Sequence, residues 1–161
     1  MKKVLKIIQT WIFVFLWLGL IFYFSNMNSN ESNVKSKETI QKVIETTVET
    51  GNKVGITEEV PTKEEQLSWI EILNLPLRKF MHMMIYCILS LLVINALNKQ
   101  KIKHKYFITV ILCVLYAITD EYHQTFITGR TGQLFDVIID TIGILIGVFL
   151  KKKGEKNEQI K

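Results

Sequence analysis

The sequence predicts an all-α membrane protein with four transmembrane helices and an extracellular helical excursion between helices 1 and 2. Three observations predict it. The chain is 48% hydrophobic and 22% charged, yet the charges fall in blocks between apolar runs, as in membrane proteins. Four such runs occur, at Ile7–Phe24, Phe80–Leu97, Tyr106–Thr119 and Leu134–Leu150. Lysines concentrate in three short flanks that four spans would place on one side, matching the excess of Lys and Arg in cytoplasmic loops. At 161 residues, a single domain is expected.

Residues 1–24 are read as a cytoplasmic N-terminus and first span. Lys2, Lys3 and Lys6 precede the apolar run, a start that a secretory signal shares. Cleavage needs small residues after the run. The chain has alanine only at Ala96 and Ala117, so a retained anchor is expected.

Residues 25–77 are read as an outer linker with amphipathic helices. The stretch "YFSNMNSNESN" has the composition of a turn-rich linker. Ile40, Val43, Ile44 and Val48 then recur at helical spacing, with Gly51 as the expected stop. "GNKVGITEEVP" reads as a second linker. Thr62-Lys-Glu-Glu65 is a capping box. The helix that it opens carries Leu67, Trp69, Ile70 and Leu73, and leads through Leu75-Pro76 into the second span. A Trp beside a span points to the membrane interface. The segment holds five Lys against nine Glu and has no His, Cys, Asp or Tyr. It is therefore placed outside and carries no catalytic constellation.

Residues 78–150 hold the remaining three spans, and 151–161 form a basic cytoplasmic tail. The connector between runs two and three carries Lys99, Lys101, Lys103 and Lys105, and the tail carries Lys151, Lys152, Lys153, Lys156 and Lys161. Both termini and the connector are thus expected in the cytoplasm of a cell-membrane protein. The net charge of +5 follows this topology, and no nucleic-acid partner is expected. Cys87 and Cys113 lie midway through their spans without a CxxC pattern and read as packing residues.

The ionisable residues of the spans gather at the outer ends. Arg78, His82 and Tyr86 share one face of the second span, beside Lys79. The third reaches the outside at Asp120, Glu121, His123 and Gln124, with Asp120 expected on one face with Tyr116, His123 and Gln124. The fourth begins with Asp136 and Asp140, a stripe that Gly143 and Gly147 continue. Such a Gly pair lets helix backbones approach closely. Asp140 would lie ~9 Å below the outer end at the helical rise of 1.5 Å per residue. Facing lipid there it would cost about 2.5–3.5 kcal/mol on insertion scales, so it should turn inward toward Arg78, Lys79, His82 or Arg130. Arg130 sits in the glycine-bearing turn "ITGRTGQ", where it could bind an anionic head group. The competing reading is an ion-pair network that only fixes helix register. No metal or other cofactor is expected.

On Phe24-Ser25, on "RKFMHMMIY" (78–86) and above all on "DEYHQTFITGRTGQLFDVIIDTIGILIG" (120–147), the chain resembles the VanZ-like family of small four-helix membrane proteins. In that light 78–150 is a VanZ-like core. Three features depart from the family's pattern. Asn26-Met27 stands where Ser-Gln is frequent, Ile85 where an acidic residue is frequent, and the outer segment is long. The resemblance implies a cell-membrane protein linked to glycopeptide antibiotic resistance of the teicoplanin type.

Three functions compete on the residues. The favoured one is a non-enzymatic envelope module. Its polar cluster would meet a membrane lipid or a lipid-linked envelope component in the outer leaflet. The alternative is a membrane enzyme acting on a lipid head group or lipid-linked cell-wall precursor, with the His and carboxylate groups as acid and base. No nucleophile motif supports it. A proton-coupled transporter is the third. Its polar path stops halfway, so it would need a second copy of the chain in a homo-oligomer.

Overall fold

In the computed structural model, residues 2–27, 29–54, 62–130 and 132–160 are described. They form five helices in chain order: α1 (Lys2–Ser25), α2 (Ser29–Val54), α3 (Lys63–Lys99), α4 (Lys105–Gln124) and α5 (Leu134–Ile160). No strand occurs among the described residues. Four of the helices carry the four apolar runs, and α2 is the excursion between the first two.

α3 is the hub, with α1, α2, α4 and α5 all packed on it. It is 37 residues long and starts at the capping box. The Thr62 amide donates to the Glu65 carboxylate at 2.8 Å, and the Glu65 amide donates back to Thr62 Oγ1 at 3.3 Å. These bonds hold the Glu65 carboxyl below the usual range, the bond from the Thr62 amide contributing most. Pro76 lies inside α3 and does not end it. The amphipathic stretch after Thr62 and the second span are therefore one continuous helix.

The excursion corrects two expectations. α2 begins at Ser29, inside the presumed linker, and passes Gly51 to reach Val54. Packing on the first half of α3 outweighs the turn composition and the glycine. Ile40 and Ile70 are buried at this contact. Asn74 meets both Ser36 and Asn33, and Lys37 pairs with Glu71 at 2.6 Å. Within the second expected linker, 55–61 lies outside the described residues.

The core runs along the α1–α3–α4–α5 seam, with Val14, Ile21, Tyr86, Leu89, Val93, Ala117 and Ile144 nearly or fully buried. Gly143 and Gly147 set the α3–α5 crossing. A Cβ at Gly143 would collide with the Met83 carbonyl oxygen, and one at Gly147 with Ser90 Oγ and the Cys87 carbonyl oxygen. Cys87 and Cys113 are buried free thiols. α1 is tied in by side-chain bonds: Trp17 Nε1 donates to the Ile85 carbonyl at 3.0 Å, and Tyr116 Oη donates to the Leu18 carbonyl at 2.8 Å. At the opposite end from the polar cluster, Glu155 of α5 accepts from Lys105 Nζ at 2.6 Å and Tyr106 Oη at 2.7 Å.

α1 and α3 are long and apolar enough to cross a membrane. α4 and α5 are interrupted near their ends, by Asp120 and Glu121 and by Asp136 and Asp140.

Candidate functional site

The end of α1, the middle of α3, the end of α4 and the start of α5 meet, and the polar stripes meet with them. At the base is Asp120, 4% exposed. Its Oδ2 accepts from Ser25 Oγ at 2.8 Å, Tyr86 Oη at 3.2 Å and Gln124 Nε2 at 3.3 Å. One carboxylate oxygen therefore joins α1, α3 and α4. A buried charge is tolerable when bonded in this way.

Beside this hub is a cavity of about 50 Å³, lined by Arg78, Lys79 and His82 of α3, Glu121 and Gln124 of α4, Arg130 of the turn, and Asp136 and Asp140 of α5, with Leu75 and Ile139 as its apolar wall. Eight of the eleven polar residues singled out by sequence therefore face one space. A volume near 50 Å³ suits a few waters or one small polar group.

Most of these side chains are already engaged. Lys79 Nζ bonds Asp136 Oδ1 at 2.9 Å and lies 4.7 Å from the centre of the Phe135 ring. Glu121 accepts from Gln124 Nε2 and from the Gln133 amide, both at 2.9 Å. Arg78 donates to Asn33 Oδ1 of α2 at 2.8 Å. Arg130 donates to Gln124 Oε1 at 2.9 Å and to the Phe24 carbonyl at 3.4 Å. The turn that aims it begins with three consecutive bonds back onto the last turn of α4 and reaches Gly129 at φ 76°, a left-handed conformation that glycine adopts without steric cost.

Asp140 differs from the rest. It is fully buried, and neither carboxylate oxygen has a hydrogen-bond partner among the described residues. The expected inward turn occurs, yet of the four candidate partners only His82 pairs with it, Nδ1 to Oδ1 at 3.9 Å. That separation exceeds a hydrogen bond.

Three of the singled-out residues do not line the cavity. Tyr86 and Asp120 lie beneath it as the hub. His123 turns away and stacks on Phe22 of α1, ring centres 4.8 Å apart, so it does not share the Asp120 face as expected. Tyr116 likewise bonds toward α1. Sequence reasoning gave no site role to Ser25, although it closes the first apolar run. It also missed Asn33 and Asn74, whose place on an α2–α3 contact leaves no mark in composition or periodicity.

The chain is thus an all-helical bundle with a buried, mixed-charge polar site where four helices meet. It belongs to the VanZ/LLP1 family, whose pattern matches residues 10–152 and so includes every side chain of the site. No curated protein and no solved structure matches it significantly.

Proposed function

We propose that the chain is a multi-pass cell-membrane protein that alters susceptibility to glycopeptide antibiotics by holding an anionic or polar head group in the outer leaflet. The head group belongs to a membrane lipid or a lipid-linked envelope component. The observation that carries this reading is the cavity between α3, α4, α5 and the turn that joins α4 to α5, where Arg78, Lys79 and Arg130 share the lining with a buried Asp140 that lacks a hydrogen-bond partner among the described residues. A network built only to fix register would close its own bonds, since an unsatisfied buried carboxylate is destabilising.

The topology is that of α1, α3, α4 and α5 as spans, with both termini and the 99–105 connector in the cytoplasm. Lysine placement supports it, as does the outward belt of large apolar side chains. Phe13, Phe15, Leu16, Phe107, Leu115 and Phe149 are all more than half exposed, an arrangement suited to hydrocarbon. Cysteines introduced one at a time at Lys103 and Thr39, with the native cysteines replaced, should react with an impermeant thiol reagent only at Thr39. Reaction at Lys103 in intact cells would overturn this topology.

Growth in a glycopeptide tests the site. His82→Ala and Asp140→Asn, at membrane levels matched to wild type, should each reduce resistance. Full resistance in both would remove the cavity from the explanation. The approach of His82 Nδ1 to Asp140 favours a second reading, an acid–base pair acting on a lipid head group. Absence of turnover of envelope lipids by purified protein would count against it.

A further inference from the structure

Next to the polar cavity, the end of α1, the first half of α2 and the middle of α3 enclose a larger groove of about 250 Å³. We propose that this groove seats one phosphate-bearing lipid. Lys35, Arg78 and Arg130 hold its phosphate, and its chain lies along Phe24, Met81 and Ile85. The proposal rests on the head-group reading above and seats the phosphate beside the small cavity, across the shared wall of Arg78, His82 and Arg130.

Charge is the first argument. Among the described residues, the ionisable ones that line the groove are Lys35, Arg78, His82 and Arg130, and none is a carboxylate. Of the acidic side chains among α4 and α5 at this end, Glu121, Asp136 and Asp140 line the smaller cavity instead, and Asp120 lies in the hub, bonded to Ser25, Tyr86 and Gln124. His82, Arg78 and Arg130 form the wall between the two spaces, so each can face an anion on one side and carboxylates on the other. Electrostatic complementarity therefore selects an anion for the groove and disfavours a zwitterion or neutral sugar there.

Geometry is the second. A guanidinium has five N–H donors in a fixed fork. Arg78 uses one nitrogen on Asn33. Arg130 uses its two terminal nitrogens on Gln124 and on the Phe24 carbonyl, each with a further N–H to give, and its Nε is buried with no hydrogen-bond partner among the described residues. Two such forks with an ammonium nearby exceed what one carboxylate needs and suit the several oxygens of a phosphate. Asn33, through its bond to Arg78, positions that guanidinium from α2. This gives the outer excursion a part in the site.

The third argument is the remainder of the lining. Phe24, Met27, Leu77, Met81 and Ile85 supply apolar walls, and Phe24 and Met81 stay exposed at the mouth. A free phosphate ion would gain nothing from such walls. A lipid carries its phosphate on an apolar chain, which can lie against such walls while the phosphate meets the cations.

The test uses the full chain in phosphatidylcholine nanodiscs, with phosphatidic acid added in steps and melting temperature and bound lipid per chain as readouts. One phosphatidic acid per chain should bind saturably and raise the melting temperature. Inorganic phosphate at the same concentration should neither do this nor compete. Lys35→Glu changes an exposed side chain, and Met81→Trp fills the mouth; each should weaken binding at least tenfold. Lys37→Glu, two residues along α2 and outside the groove, should change it less than twofold. Equal weakening by Lys37→Glu would reduce the effect to surface charge, competition by inorganic phosphate would make it a free-anion site, and unsaturable uptake would make it bulk partitioning. Each of these overturns the proposal. If His82→Ala and Asp140→Asn lose resistance while phosphatidic acid fails to bind, the head-group reading stands and the groove falls. If the groove variants lose binding while those two keep full resistance, the groove stands and its link to resistance falls.

Discussion

Replacing Ser25 by alanine removes a single oxygen from the bundle, yet it should loosen the junction of three helices. Ser25 is 1% exposed and donates to Asp120 Oδ2 at 2.8 Å across 95 residues of chain. The substitution leaves a small void, so the lost bond dominates. A hydrogen bond to a charged acceptor contributes about 1.5–3 kcal/mol. Neutral inter-helix bonds in membranes average nearer 0.6 kcal/mol, and the charge on Asp120 is the reason to expect the higher range. About 1.4 kcal/mol is tenfold in the folding equilibrium, so Ser25→Ala should shift that equilibrium ten- to a hundredfold. Tyr86→Phe removes a longer bond, 3.2 Å, to the same oxygen and should cost less. In the double variant, the strongest remaining bond to Oδ2 is that of Gln124 at 3.3 Å. The two losses should then exceed their sum by at least 0.5 kcal/mol, as for residues in one network. Equilibrium unfolding in mixed micelles, followed by tryptophan fluorescence, measures all four corners of the cycle. A Ser25→Ala protein within about 0.5 kcal/mol of wild type, the scatter of neutral surface substitutions, would refute the hub.

Three further outcomes follow from other parts of the fold. Gly143→Ala should destabilise by about 1–3 kcal/mol, the usual range for overpacking, because the new Cβ meets backbone at Met83 and not a movable side chain; Gly154→Ala meets nothing, and the same micelle assay should find it neutral or stabilising. Lys79→Gln should destabilise more than Lys37→Gln, since the Lys79–Asp136 pair is mostly shielded while Glu71 of the Lys37 pair is 71% exposed and exposed pairs contribute little. At the opposite end of the bundle, the bond from Lys105, aided by Tyr106, holds the Glu155 carboxyl below its ordinary range. Its contribution is complete above the unfolded value and is lost as pH falls through the lowered folded value. Unfolding titrations of wild type and Glu155→Gln should therefore diverge near neutrality and converge in acid.

The four apolar runs were legible because hydropathy over a span is a local property. The stripe Asp136–Asp140–Gly143–Gly147 was legible too, since a spacing of three or four residues keeps one face whatever the partner. His123 shows where such reading stops. At about 100° per residue, position i+4 from Asp120 lies some 40° to one side and position i+3 some 60° to the other. Both look like one face in sequence, but α1 lies on one flank and the cavity on the other, so Gln124 turns inward and His123 meets Phe22. α2 was misjudged for a related reason. Asn, Ser and Gly favour turns in isolation, whereas here Asn33 and Ser36 bond to α3, and tertiary contact outweighs propensity.

The unbroken course of α3 places a rule on length. Asn33 and Ser36 grip the helix at Arg78 and Asn74, and the same shaft bears His82 and Tyr86. Cap and cavity therefore share one rotational phase. A single residue inserted between Asn74 and Arg78 would turn the lower stripe by about 100° relative to the cap, separating Arg78 from Asn33 or His82 from Asp140. Four inserted residues would nearly restore the phase, at about 40° and one turn of extra height. This stretch of helix therefore tolerates change in length only in steps of whole turns.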